Sequence, residues 1–151
     1  MKSLKSNFLI QETDTKNFTK KELKFVTKKK PSMNQIEDLL FAIKVARYVK
    51  SNAIVFAKNK KTLGIGAGQM SRIDSTNIAR SKAQKQNISL KGSVMASEAF
   101  FPFRDNIDLA KKIGVSSIIQ PGGSIKDEEI ISITDKHNLS MVFTNVRVFK
   151  H

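Results

Sequence analysis

Gly114-Val115-Ser116-Ser117-Ile118-Ile119-Gln120-Pro121-Gly122-Gly123 is the stretch that sets the architecture. Gly114 stands where a helix over residues 106–113 must stop, because a residue without Cβ ends a helix at least cost. Residues 115–119 then read as an apolar strand, and Pro121 to Gly123 as a sharp loop. A helix over 127–136 and a last strand over 141–144 follow. Strands that alternate with helices predict an α/β fold with a mostly parallel sheet flanked by helical layers.

The rest of the chain has the same rhythm. Thr19 and Glu22 have capping-box spacing for one helical turn, and Ser32 with Gln35 repeats the signal for a longer helix. Ile36, Leu39, Leu40, Ile43, Ala46 and Val49 form one apolar stripe at helical period. Residues 7–11 and 53–57 read as strands, 59–61 as a turn, and 62–65 as the hairpin partner of 53–57. A helix over 75–85 and a short strand over 93–95 lead into the most unusual segment of the chain. No internal repeat or low-complexity linker interrupts the 151 residues, which read as a single domain over 1–151.

Composition excludes more than it assigns. There is no Cys and there are two His, His137 and His151, far apart in sequence, so thiolate nucleophiles, disulfides and a transition-metal centre are not expected. No apolar run approaches the length of a signal-peptide core or a membrane span, so a cytoplasmic protein without membrane contact is expected. The net charge is +14, but the basic residues are mostly Lys and scattered, whereas nucleic-acid readers cluster Arg with aromatic residues. Nucleic-acid binding is disfavoured, and the positive field suits small anionic ligands.

Ser97-Glu98-Ala99-Phe100-Phe101-Pro102-Phe103-Arg104-Asp105-Asn106 places three Phe around a Pro beside an ion pair and an amide. Pro cannot continue a sheet ladder, so the segment reads as an irregular wall suited to a flat heteroaromatic ligand. A hydrophobic loop plugging the core, with Asp105 capping the next helix, fits the same residues. Gly64-x-Gly66-x-Gly68 fails the dinucleotide fingerprint because its third Gly comes too early. It reads as a tight backbone turn that lets a ligand or a neighbouring strand come close. Asn52 alone would be a turn residue, Arg72 a surface ion-pair partner, and Arg147 with Phe149 a frayed terminus beyond the last core strand.

Together with Lys50-Ser51-Asn52-Ala53-Ile54, Gly64 to Arg72, Gln120 to Ser124 and Arg147-Val148-Phe149-Lys150-His151, the aromatic segment resembles the AICAR transformylase domain of the bifunctional AICAR transformylase/IMP cyclohydrolase family. The motifs occur in order over nearly the whole chain and match the C-terminal part of that family's protein. The resemblance implies a cytidine-deaminase-like three-layer sandwich and a formyltransferase fragment or subunit acting in IMP biosynthesis. Its co-substrate would be 10-formyltetrahydrofolate. The implied AICAR contacts are Asn52, Phe100, Arg147 and Phe149; the implied folate contacts are Arg72, Ile73, Pro102, Phe103, Asp105 and Asn106. Asn52 and Asp105 would support catalysis.

The family's catalytic Lys-His pair lies in a preceding subdomain. Lys150-His151 matches the family's C-terminal ending instead, and Lys136-His137 reads as an exposed helix end. The chain is therefore expected to self-associate or to work with a partner carrying the missing half. The alternatives are a non-catalytic nucleotide- or folate-binding remnant of the same fold and, from another class, a basic nucleic-acid binder.

Overall fold

Buried apolar residues alternate between two faces along every central strand, and that alternation divides the core in two. The computed structural model describes residues 2–4, 7–10 and 17–150. Its main sheet has six strands: β3 (Lys24–Phe25), β4 (Ile54–Lys58), β5 (Lys61–Gly66), β6 (Val94–Ser97), β7 (Ser117–Gln120) and β8 (Ser140–Phe143). They lie in the order β3-β8-β7-β6-β4-β5. A separate hairpin pairs β1 (Lys2–Leu4) with β2 (Asn7–Leu9). The strand expected over residues 7–11 is thus seen at Asn7–Leu9, and its end at Gln11 lies outside the described residues.

Ile54, Phe56, Met95, Ile118, Met141 and Phe143 face one side of the sheet. Val55, Ala57, Val94, Ala96, Ile119 and Val142 face the other, the period-two alternation a pleated strand requires. The second side is covered by α1 (Met33–Ala46), through Ile36, Leu39, Ala42, Ile43 and Ala46. The first is covered by α2 (Arg72–Lys85), α3 (Asp105–Ile113) and α4 (Asp127–Lys136). The result is the expected α/β sandwich of three layers.

The direction of the strands refines that expectation. β5, β6, β7 and β8 all run the same way, but β4 lies antiparallel between β5 and β6, and β3 pairs antiparallel with β8. Asn59 and Lys60 cause the reversal at β4. Both have positive φ, 52° and 56°, as a two-residue hairpin turn of matching twist requires. Asp38 on α1 accepts both their main-chain N–H groups, at 2.9 and 2.7 Å. The parallel centre thus reaches across β4, through α2, to β5. β3, with two residues, is too short to announce itself in sequence.

Local signals explain several helix ends. The Ser32–Gln35 capping box is formed in both directions, at 3.3 and 2.8 Å, and Thr19 with Glu22 caps the short 3-10 turn Lys20–Glu22. Gly114 ends α3 with φ at 87°. α2 starts at Arg72, earlier than the expected residue 75, because Ser71 Oγ accepts the Asp74 N–H at 3.2 Å and donates to its carboxylate at 2.6 Å.

The glycines are also reassigned. Gly64 and Gly66 belong to β5, where an added Cβ would collide with the carbonyl oxygens of Ala79 and Ser75. They let α2 press its small residues Ser75, Thr76, Ala79 and Ala83 against the sheet. Of the three, only Gly68 serves as a positive-φ turn, at 67°. Among the described residues, no helix is long and apolar enough to cross a membrane.

Candidate functional site

The register brings one edge of the sheet into focus. Ile54 pairs with both Gly66 and Ser97, Ala96 with Ile119, and Gln120 with Phe143. The carboxyl ends of β5 to β8 therefore meet the start of β4 at a single edge. α2, α3 and α4 all begin there, so three helix N-termini offer partial positive charge to that space. Crevices outside the carboxyl ends of parallel strands are where α/β sheets bind ligands. Every site residue expected from sequence lies in a loop or first helical turn at this edge.

One group of them is brought into contact by the end of the chain. The Val148 N–H donates to the Glu98 carbonyl at 3.1 Å, and the Ser51 N–H donates to the Lys150 carbonyl at 3.1 Å. The tail is thus laced between the start of β4 and the segment after β6, and Val148 is 1% exposed. The expectation of a frayed terminus is corrected: Val148 fills the α1 side of the core. Lacing the tail places the Arg147 guanidinium 4.8 Å from the centre of the Phe100 ring and 6.0 Å from that of Phe149, within cation–π range. Asn52 Nδ2 donates to the Gln69 carbonyl at 2.9 Å, binding the strand start to the glycine loop. His151 lies outside the described residues.

Arg72 is on the first turn of α2, followed by half-buried Ile73. Its guanidinium lies 3.5 Å from the Glu98 carboxylate, with side-chain exposures of 14% and 0%. Sequence reasoning did not select Glu98. The signal was a lone carboxylate directly after four buried residues of a strand. Glu98 Oε2 accepts the Ala53 N–H at 3.0 Å. Glu98 Oε1 and Arg72 Nε are both buried without a hydrogen-bond partner.

Burial pushes the Glu98 carboxyl above its ordinary range, opposed by Arg72, by the Ala53 N–H and its own main-chain N–H, and by the Ser51 hydroxyl. Arg72 is pulled below its ordinary value, first by burial and also by the charge of Arg147, against support from Glu98. The charge of Arg147 is thus felt at Arg72.

The remaining candidates form a second group after Phe101. Phe101 itself is core: its side chain is fully buried, and its N–H donates to Gln120 Oε1 at 2.9 Å. Pro102 is half-buried, while Phe103 is 58% exposed, with Lys126 Nζ 4.6 Å from its ring centre. Lys126 was not anticipated.

Asp105 is exposed and is the first residue of α3 rather than its N-cap, which is Arg104. Asp105 Oδ1 accepts the Asn106 N–H at 2.7 Å. Asn106 is 2% exposed, and Thr76 on α2 donates to its Oδ1 at 2.7 Å. That buried amide joins α2 to α3, so its most direct role is to hold the two first turns together. His137 is half-buried, not free at a helix end: its Nε2 lies 2.6 Å from Asp108 Oδ1. Among the described residues, no group of three or more His, Cys, Asp or Glu could hold a metal.

These features define an α/β sandwich with cationic and aromatic side chains gathered at the carboxyl edge of its sheet. The sequence profile of the AICARFT/IMPCHase bienzyme family matches residues 1–82, and the chain belongs to that family. It is 57% identical over 150 residues to the bifunctional purine biosynthesis protein PurH of Wigglesworthia glossinidia brevipalpis, covering 99% of this chain and 28% of that protein. The chain thus spans little more than a quarter of that curated relative.

Solved structures resemble it more distantly. A diaminohydroxyphosphoribosylaminopyrimidine deaminase/5-amino-6-(5-phosphoribosylamino)uracil reductase from Thermotoga maritima is 15% identical, with a TM-score of 0.47, over 68% of this chain and 34% of that one. The dCMP deaminase of the cyanophage S-TIM5 is 14% identical, with a TM-score of 0.46, over 75% and 98%.

Proposed function

We propose that the carboxyl-edge crevice binds AICAR and a 10-formyl folate, and that this chain is the ligand-binding part of an AICAR formyltransferase in purine biosynthesis. The observation that carries this reading is the meeting of Arg72 and the tail at Glu98, whose carboxylate faces Arg72 and whose carbonyl holds Val148 beside Arg147, with the Phe100 and Phe149 rings against that guanidinium. An anion between the two guanidinium groups relieves their mutual repulsion, and Arg suits the bidentate recognition of phosphate or carboxylate. Aromatic walls suit a flat heterocycle. The match to family members fits the same reading.

In this proposal Arg147, Phe149, Phe100 and Asn52 hold the ribonucleotide. Arg72, Ile73, Pro102, Phe103 and Asp105 face the folate, while Asn106 positions the first turn of α3. The folate supplies the formyl group. This chain orients the two ligands, and the proton transfer that activates the substrate amine falls to a Lys-His pair outside it.

Titration calorimetry of the purified chain with AICAR and with 5-formyltetrahydrofolate tests the reading. Binding of both, weakened in Arg72→Ala and Arg147→Ala, supports it. Saturable binding of neither ligand overturns it. Formyl transfer should be negligible with this chain alone and should appear when a polypeptide carrying the Lys-His segment is added.

A further inference from the structure

We infer that Glu98 is a positioning residue of this crevice, holding Arg72 in aim and fastening the nucleotide-gripping tail, with no contact of its own to either ligand. The inference rests on the binding reading above and adds a residue to it. Glu98 is the point where three parts of the site meet. Its carboxylate faces the Arg72 guanidinium at 3.5 Å, its Oε2 accepts the Ala53 N–H at the start of β4, and its main-chain carbonyl accepts the Val148 N–H of the tail. With its side chain wholly buried, it is out of reach of a ligand in the crevice.

A purely structural ion pair would close its hydrogen bonds, because an unmet buried polar atom is costly. Here Arg72 Nε is left unmet, and Glu98 Oε1 has the Ser51 hydroxyl near it without a closed hydrogen bond. The charge of Glu98 holds the guanidinium by attraction at Nη2 and leaves the Arg72 Nε–H unspent. Without that carboxylate, nothing described at the site offsets the repulsion between Arg72 and Arg147.

Glu98→Gln keeps the side-chain shape and an acceptor for Ala53 while removing the charge. The expected results are a melting temperature within a few degrees of the parent, a displaced and faster-exchanging Arg72 Nε–H resonance in nitrogen-15 NMR, and affinity for 5-formyltetrahydrofolate lowered about tenfold. In a cycle with Arg72→Lys, the two losses should be strongly non-additive, since both substitutions disable one unit. An unchanged Arg72 resonance, or losses that simply add, overturns the inference. If Glu98→Gln does not fold, Glu98→Asp decides: drawing the carboxylate back by one methylene should displace the Arg72 Nε–H resonance and lower folate affinity, and an unchanged resonance overturns the inference. The Arg72 resonance is read without ligand, so a parent chain that binds no folate sinks the binding reading while this outcome is still decided.

Discussion

The main-chain N–H of Val148 donates to the carbonyl oxygen of Glu98 at 3.1 Å, and the Val148 side chain is buried against α1 and the sheet. The tail is therefore part of the core as well as part of the site, and the two roles fall on neighbouring residues. Val148→Ala should cost about 2 kcal/mol, the scale of burying one aliphatic side chain. Arg147→Ala, at an exposed residue, should leave stability within about 0.5 kcal/mol and weaken AICAR binding. Urea unfolding beside calorimetric titration of both variants checks the division. Equal stability losses would contradict it.

Glycine positions at the sheet and at the loop should respond differently to a methyl group. Gly66→Ala drives Cβ into the main chain of Ser75 on α2, where neither side can yield cheaply. A loss above about 2 kcal/mol, or no soluble protein, is expected. Gly123 has φ at 90° but open space around it, so Gly123→Ala should cost only about 1–2 kcal/mol of backbone strain. Thermal melts of the two variants give the comparison, and the reverse order would refute the packing account of β5 and α2.

Asp108 carries an acid-sensitive share of stability. The Arg104 guanidinium, and then His137, hold its carboxyl down at about 2, from an ordinary 3.8. A carboxyl depressed on folding stabilises above its unfolded pKa, and that stability is lost as pH falls through the folded value. Asp108 is 31% exposed, so solvent screening reduces its share to about 1 kcal/mol. Asp108→Asn should be less stable than the parent by that amount near pH 6, with the gap closing as pH falls from about 4 to about 2. A gap that persists at the acid end would exclude the ion-pair explanation.

Asp105 separates binding from capping. Its carboxylate is exposed and accepts only the N–H and amide of Asn106 among the bonds described. Asp105→Ala should cost less than about 1 kcal/mol, since Arg104 occupies the cap position. Under the binding proposal it should nevertheless reduce folate affinity. A large stability loss with unchanged affinity would return Asp105 to a purely structural role.

What could be read from the chain depended on how local its cause was. The caps at Ser32 and Gly114, the turn at Asn59-Lys60 and the break at Pro121 depend on neighbours within a few residues, and the structure has them where the residues predict. The reversal of β4 within the parallel set depends on sheet order, which no local pattern encodes. Gly64 and Gly66 looked like a loop because their partners, Ser75 and Ala79, are on a helix that packs against them from later in the chain. The burial of Val148 and the Glu98–Arg72 pair are likewise tertiary: a lone Glu after Val94-Met95-Ala96-Ser97 hints at a buried charge without naming its partner. Most candidate site residues were legible through a family resemblance, and the structure adds that they share one edge.

The most direct test of that shared edge is nitrogen-15 NMR of the chain during titration with AICAR and 5-formyltetrahydrofolate. The account predicts that the shifts cluster at residues 50–52, 67–73, 98–106, 121–126 and 145–150, with the opposite edge around Asn59, Gly92, Gly114 and Asn138 unmoved. Shifts concentrated at that opposite edge, or none at saturating ligand, would contradict it.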